Sequence, residues 1–438
     1  MSSTRPAGLH VLYVSWGFPP HRGPGTYRGL ASVNALAEAG HRVTVLTADL
    51  ATFDVVIGAD RSLLDRIHPA VAVHRVAFPA VRADPVVSRW PVQRARARKA
   101  WAQDVDAHEG SLFPEKVYAS WRPRVEAAAY RLHRKDPVDL VIATGNPYVD
   151  FVPAFHLGVE FGVPYVLDDR DTWLLDVYTG EEREPGGLAE QYWTDMLERS
   201  AQAWFVNPPI ADWYRTRFPD QAQKIRVVEN GWDAEYLPTS REPKKAAPGG
   251  SVFGYVGTIS RGLPLELLLE AWTLARPELG RGAELRFFGQ LGHGGAGDAN
   301  RTELFADHAR LGVRHLGRWP KVRIDEAYRG LDALLFAKEG GGLVTSGKVY
   351  EYAATGRPIV CAVEPEHDAR RVLADYPRRH DPASLTAEGI AAALVSAARD
   401  AEAGEQTRVA SALAAGAQYE RSQLLAPVLE DLLAQVSS

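Results

Sequence analysis

The segment Ser346-Gly347-Lys348-Val349-Tyr350-Glu351 has the residue types to hold an anion and a pair of hydroxyls side by side. Ser346 and Gly347 suit the opening of a helix. The free backbone N–H groups and macrodipole of such an opening favour an anion by about 0.3–1 kcal/mol, and more when partly buried. Glu351 lies one turn into that helix, on the face shared with Gly347. A carboxylate there can accept both of two neighbouring hydroxyls. Upstream, Gly340, Gly341 and Gly342 leave a stretch with no side chain to obstruct a bound group. Gly257 ends an apolar run, and Arg261 follows it. Arg261 and Lys348 are the candidate cations for a departing negative charge, each charge-assisted hydrogen bond contributing about 1.5–3 kcal/mol. Without a ligand, the same residues would be a solvated helix carboxylate and ordinary surface cations.

A second group lies in the first half of the chain. Asn146, in Ala143-Thr144-Gly145-Asn146-Pro147, and Asp169, Arg170 and Asp171, in Asp168-Asp169-Arg170-Asp171-Thr172-Trp173, both follow apolar runs. Asp169 and Asp171 can orient a hydroxyl or a cationic group. Asp-Arg-Asp reads equally well as a salt-bridged loop. His21 and His156 are weaker candidates, with structural roles as the simpler reading.

Short β-rich runs alternate with longer amphipathic segments, the pattern of parallel α/β folds. The first strand reads His10 to Trp16, followed by a helix from about Tyr27 to Ala39 that Gly40 closes. Further strands are expected at Val43–Thr47, Val138–Ala143, Tyr165–Leu167, Ala203–Val206 and Ile225–Val228. Thr239 to Gly250, rich in Pro, Lys, Ala and Gly, reads as a linker. The alternation restarts at Val252–Val256 and continues through Leu285–Phe288, Val313–Leu316, Ala333–Phe336 and Ile359–Val363. The expected organisation is a Rossmann-like domain over residues 1–240, a second over 241–415, and a closing helix in 416–438 that packs back towards the first. In that helix Leu424, Leu425, Val428, Leu429, Leu432 and Leu433 recur at helical spacing. Ligands of such sheets sit beyond the carboxyl ends of the strands, so the loops after strands are where chemistry is expected.

The composition, with 46 % apolar and 24 % charged residues among 438, is that of a globular protein of about two or three domains. The net charge of −5 gives no electrostatic reason to expect nucleic acid. Cys361 is the single cysteine, so no intrachain disulfide forms, and its apolar run marks it as a buried filler. No secretion signal and no 18-residue apolar stretch is visible, and a cytoplasmic location is the expectation.

Gly23-Pro24-Gly25-Thr26-Tyr27-Arg28-Gly29, with Asp49 after the next strand, imitates a dinucleotide fingerprint. That motif needs its first glycine directly after the strand. Here Gly17 to Arg22 intervene, which weighs against an NAD(P)-dependent oxidoreductase and favours a glycine loop over a helix start.

Four stretches together resemble the family-four retaining glycosyltransferases, enzymes of the GT-B architecture. They are Phe18-Pro19-Pro20 with the Gly23/Gly25 loop and Gly40-His41-Arg42-Val43; Asn230-Gly231-Trp232-Asp233; Gly254-Tyr255-Val256-Gly257 through Arg261; and Ser346-Gly347-Lys348-Val349-Tyr350-Glu351-Tyr352-Ala353-Ala354-Thr355-Gly356-Arg357-Pro358, the most specific. Pro24 separates a glycine pair that is usually adjacent. Thr258 stands where a second basic residue is common. The nearest upstream acid is Glu339, twelve residues before Glu351 instead of eight.

The resemblance implies two facing Rossmann-like domains with a cleft between them. It also implies transfer of a sugar, with retention, from a nucleoside-diphosphate sugar to a hydroxyl-bearing acceptor. Gly23, Gly25, Gly257, Arg261, Gly341, Gly342, Ser346, Lys348 and Glu351 are then donor-binding, with Glu351 on the ribose. Asn146, Asp169, Arg170 and Asp171 are acceptor-binding, and Arg261, Lys348 and Asp171 are the residues closest to the chemistry. Relatives of this kind work without a metal or cofactor, the donor phosphate itself taking the acceptor proton. A nucleotide-sugar 2-epimerase on the same scaffold is the alternative. Lastly, Ser88 to Gln103 carries Arg89, Arg94, Arg96, Arg98 and Lys99 among Trp90, Val92 and Trp101. It reads as a basic helix that is solvated, lines an anionic acceptor pocket, or touches an anionic membrane surface.

Overall fold

In the computed structural model, residues 8–56, 59–79, 86–237, 246, 250–292 and 299–437 are described. The alternating runs form two parallel sheets in two compact units. One comprises Met1–Asp176, Glu181–Glu229 and Leu425–Ser438, the other Val177–Gly180 and Asn230–Leu424. The division falls between Glu229 and Asn230, ahead of the expected linker, most of which lies outside the described residues.

The first unit's seven strands are β1 (His10–Val14), β2 (Arg42–Ala48), β3 (Ala72–Val76), β4 (Leu140–Gly145), β5 (Tyr165–Asp169), β6 (Gln202–Phe205) and β7 (Ile225–Val227), ordered β3-β2-β1-β4-β5-β6-β7. All pairings are parallel, with Val11 opposite both Val43 and Leu140. Strands β1, β4 and β5 are buried throughout, as expected where helices cover both faces. Strand β3 was not anticipated. It is an edge strand with no fully buried residue, so its apolar signal is weak. The first helix, Pro24–Glu38, begins three residues before the expected Tyr27, with proline in its first turn, where a missing N–H costs nothing.

The final helix, Arg421–Ser437, carries Leu425, Leu429 and Leu432 into the same core as Val11, Tyr13, Val43, Ile142 and Trp204. Beneath the sheet's carboxyl edge, Arg28 on the first helix is fully buried and grips Asp168 of β5. Its Nη2 lies 2.7 Å from Oδ1 and its Nε 2.8 Å from Oδ2, while Nη1 donates to Val228 O at 2.7 Å.

The second unit's six strands are β8 (Val252–Val256), β9 (Glu284–Phe288), β10 (Val313–His315), β11 (Ala333–Ala337), β12 (Ile359–Ala362) and β13 (Arg379–His380), ordered β10-β9-β8-β11-β12-β13. The helices Leu265–Leu279 and Ala387–Ala403 share its core through Leu268, Leu269, Trp272, Ile390 and Leu394. Cys361 is buried in β12, and burial pushes its thiol up to about 12, which keeps it protonated and inert.

The strand order reverses between β1 and β4 in one unit and between β8 and β11 in the other. These are the points where parallel sheets open a crevice for ligands.

The basic segment departs from expectation. It is two helices, Val92–Arg96 and Arg98–Leu112, broken at Ala97. Arg94 is buried, its guanidinium 3.9 Å from the Trp90 ring centre and 4.9 Å from that of Trp101. It therefore serves packing, and Arg89, Arg96, Arg98 and Lys99 remain as the exposed charges. Among the described residues no helix is long and apolar enough to cross a membrane.

Candidate functional site

In the second unit, the loops after β8 and β11 and the helix Gly347–Ala354 meet at the strand-order reversal. Gly257 directly follows β8 with φ +144, a conformation that favours glycine, and its N–H bonds Phe288 O at 2.7 Å. A side chain there is excluded for a second reason: a Cβ would stand 1.8 Å from Lys348 Cε. Lys348 lies across the glycine and donates to Tyr255 Oη at 3.0 Å.

Buried Arg301 shapes the following loop by binding Ile259 O at 2.6 Å and Ser260 O at 2.8 Å, leaving Arg261 exposed at the tip. Glu339 N donates to Gly262 O at 2.9 Å, so the loops after β8 and β11 are joined by backbone.

The glycine loop after β11 is held from the other side. Asp368 N bonds Gly342 O at 3.0 Å, and Thr345 Oγ1 donates to the buried Asp368 carboxylate, which Arg371 also holds at 2.7 Å. Gly340 and Gly341 have φ of +61 and +67, so the glycines are required by the turn as well as by access. Ser346 precedes the helix as its cap without a side-chain capping bond, and no acidic residue occupies the first turn. The opening of that helix is therefore uncompensated by protein charge.

One turn in, Glu351 is half-buried and presented by partners that the sequence did not reveal. Lys321 Nζ bonds Oε1, and Tyr328 Oη donates to Oε2 at 3.1 Å. Each oxygen keeps a lone pair for another donor.

The structure also adds Lys338, the first residue after β11. Burial, and then the neighbouring Lys348, lower its ammonium to about 8. Among the described residues no carboxylate pairs with Arg261, Lys338 or Lys348.

Gly23, Gly25, Asn146, Asp169, Arg170 and Asp171 are brought together in the first unit, around its own strand-order reversal. Arg170 is their hub: its Nη2 donates to Asn146 O at 3.2 Å and its Nη1 pairs with Asp171 at 2.9 Å. Its guanidinium crosses Gly25, where a Cβ would stand 2.5 Å from Nε. Gly23 carries His21 against it, since a Cβ there would lie 2.4 Å from the ring. Burial, then Arg170 and Arg22, lower His21 to about 4, and the ring is neutral. His156 pairs with Glu126 at 2.6 Å, away from this group.

Asp169 differs from the expectation of a ligand-facing acid. It is fully buried, accepts from Trp173 N and Tyr214 Oη, each at 3.2 Å, and is raised to about 7 by burial. It holds the Asp171–Trp173 turn from beneath, and Asp171 is the acid of this loop that reaches solvent. Among the described residues no cluster of three or more His, Cys, Asp or Glu side chains is placed to hold a metal.

No protein-family model and no curated protein matches the sequence. Solved structures do match, over almost the whole chain. Sucrose-phosphate synthase from Thermosynechococcus elongatus is 14 % identical with a TM-score of 0.60, covering 97 % of this chain and 99 % of its own. HepE of Anabaena, solved with UDP and glucose, is 15 % identical with a TM-score of 0.60 and the same coverage. A protein from Listeria monocytogenes described as a UDP-N-acetylglucosamine 2-epimerase is 12 % identical with a TM-score of 0.57, covering 97 % of this chain and 95 % of its own. Two parallel-sheet units and these neighbours establish that the chain has the GT-B fold.

Proposed function

We propose that this protein is a retaining glycosyltransferase that moves a sugar from a nucleoside-diphosphate sugar to an acceptor hydroxyl. One observation carries the reading. Lys338 and Lys348 lie within electrostatic reach of each other, with no carboxylate paired to either among the described residues. Lys348 lies in the first turn of an uncapped helix, Arg261 is exposed on the loop whose Gly262 is joined by backbone to Glu339, and Glu351 stands one turn further in. Cations gathered without a counter-charge repel one another, and an anionic ligand turns that cost into binding. A diphosphate supplies the charge and its ribose the hydroxyls for Glu351. HepE, solved with UDP and with UDP-glucose, is a neighbour of the same fold.

In the chemical step the bond from the anomeric carbon to the diphosphate breaks and negative charge grows on the leaving oxygen. The ammoniums of Lys348 and Lys338 and the guanidinium of Arg261 lower the energy of that charge. The acceptor oxygen bonds to the anomeric carbon on the face the diphosphate leaves, so no protein nucleophile is required. A diphosphate oxygen takes the acceptor proton, so no protein base is required either. The acceptor belongs to the first unit, at Arg170, Asp171 and Asn146. The epimerase neighbour favours a second reading on the same donor site. An epimerase converts the nucleotide sugar with no acceptor, whereas a transferase releases nucleoside diphosphate faster when one is added.

A thermal-shift screen of UDP, GDP, dTDP and ADP sugars tests the reading. A nucleotide that binds the folded state at 100 times its Kd stabilises it by about 2.7 kcal/mol. A rise in melting temperature of several degrees with at least one of them is expected. No rise with any of the four, at millimolar concentration, contradicts the proposal.

A further inference from the structure

The carboxylate expected on the ribose and the cations expected on the phosphates are arranged in succession. Glu351 is held at one end by Lys321 and Tyr328. Lys348 follows, three residues earlier on the helix and stretched across Gly257. Lys338 is the next cation: it feels the charge of Lys348, and no hydrogen bond or ion pair joins it to Glu351, Lys321 or Tyr328.

Among the described residues no carboxylate pairs with Lys338, and Asp368, next to His367, is taken up by Thr345 and Arg371. The Lys338 Nζ lies 4.9 Å from the Tyr178 ring centre and 3.5 Å from the position a Cβ would take on Gly341. His367, within electrostatic reach of Lys338, is 2 % exposed. Its Nδ1 accepts from Ala369 N at 3.1 Å, so its proton sits on Nε2, a buried donor with no partner among the described residues. Burial, then Lys338, hold His367 down to about 4, which leaves it neutral. An ammonium in a half-buried, glycine-lined setting, with an unsatisfied N–H within electrostatic reach, is more favourable once an anion arrives.

Resting on the donor-site reading above, we infer that Lys338 binds the sugar-side phosphate of the donor diphosphate, while Lys348 serves the phosphate nearer the ribose. Lys338 thereby separates diphosphates from monophosphates. Its sequence position gives no hint of this role, because a lysine closing an apolar strand reads as a solvated end. The lowered ammonium fits the same geometry: a bound phosphate restores the favourable surroundings that burial and Lys348 take away.

The test uses Lys338→Met, which keeps the stem and removes the charge, and Lys338→Arg, which keeps the charge. Calorimetric titrations with UDP, UMP, GDP, GMP and inorganic pyrophosphate are compared in the full chain, with the ligand-free melting temperature confirming folding. Lys338→Met is expected to weaken the diphosphate that binds by about 10-fold or more, the loss of one charge-assisted hydrogen bond. The matching monophosphate should change by less than about 2-fold, and Lys338→Arg should keep diphosphate affinity within about 3-fold. Equal losses for mono- and diphosphate, or no loss for either, overturn the inference. If the wild type binds none of the nucleotides, the donor-site reading fails by itself. Pyrophosphate then decides the role of Lys338: binding that Lys338→Met abolishes retains it, and absence of binding removes it.

Discussion

Glu351→Ala is expected to raise the dissociation constant for the preferred nucleoside diphosphate by about 10²–10⁴-fold and to abolish measurable transfer. The size follows from the two hydrogen bonds to a charged acceptor that the ribose would lose, each about 1.5–3 kcal/mol. The geometry explains why so much rests on one side chain. Lys321 and Tyr328 each take one carboxylate oxygen, which fixes the group's orientation while leaving an acceptor position on both. The substitution should leave the fold intact. Glu351 is itself 20 % exposed, and the freed Lys321 is 16 % exposed and retains access to water. Titration calorimetry with melting curves checks both parts. A dissociation constant changed by less than 5-fold would show that Glu351 does not hold the ribose.

The largest effect on stability is expected at Asp168→Asn. Arg28 and Asp168 are each 1 % exposed, and the arginine spends three of its donors on the pair and on Val228 O. Removing the carboxylate leaves a guanidinium charge in the core of the first unit. Breaking such a pair costs about 3–5 kcal/mol, because the remaining charge has no replacement for water. Replacing both, as Arg28→Met with Asp168→Leu, leaves no buried charge and should recover much of the loss. Urea unfolding of the single and double variants, followed through the first unit's tryptophans, measures this. A single-variant loss below about 1 kcal/mol, or a double variant worse than the single, contradicts the argument.

The two sheets were legible because their central strands are continuous apolar runs, which survive any reading of periodicity. Val252–Val256 was placed to the residue, and Ala333–Phe336 missed only Ala337. What escaped was at the margins. Strand β3 has no fully buried residue, and β13 is only two residues long, so neither writes an apolar run. Pro24 carried a helix-start signal that the glycines around it obscured.

The site was legible unevenly for a similar reason. Ser346, Lys348 and Glu351 share one short helix, so spacing alone brings them together. Lys321 opens a short 3-10 helix 30 residues before Glu351, and only the fold joins them. In the sequence Asp169 reads as ligand-facing because it follows an apolar run, but at the very end of β5 its side chain still turns into the core, where Tyr214 meets it. The basic segment misled because arginine between two tryptophans writes the same letters whether it coats a surface or stacks in a core.

A crystal structure of the chain with the nucleoside diphosphate that stabilises it most would test the central claim directly. The account predicts both ribose hydroxyls within about 3.2 Å of the Glu351 oxygens. It also predicts the phosphates at the opening of the helix Gly347–Ala354, touching Lys348 and Lys338. A nucleotide bound elsewhere, with that helix opening bare and Glu351 still held only by Lys321 and Tyr328, would contradict it.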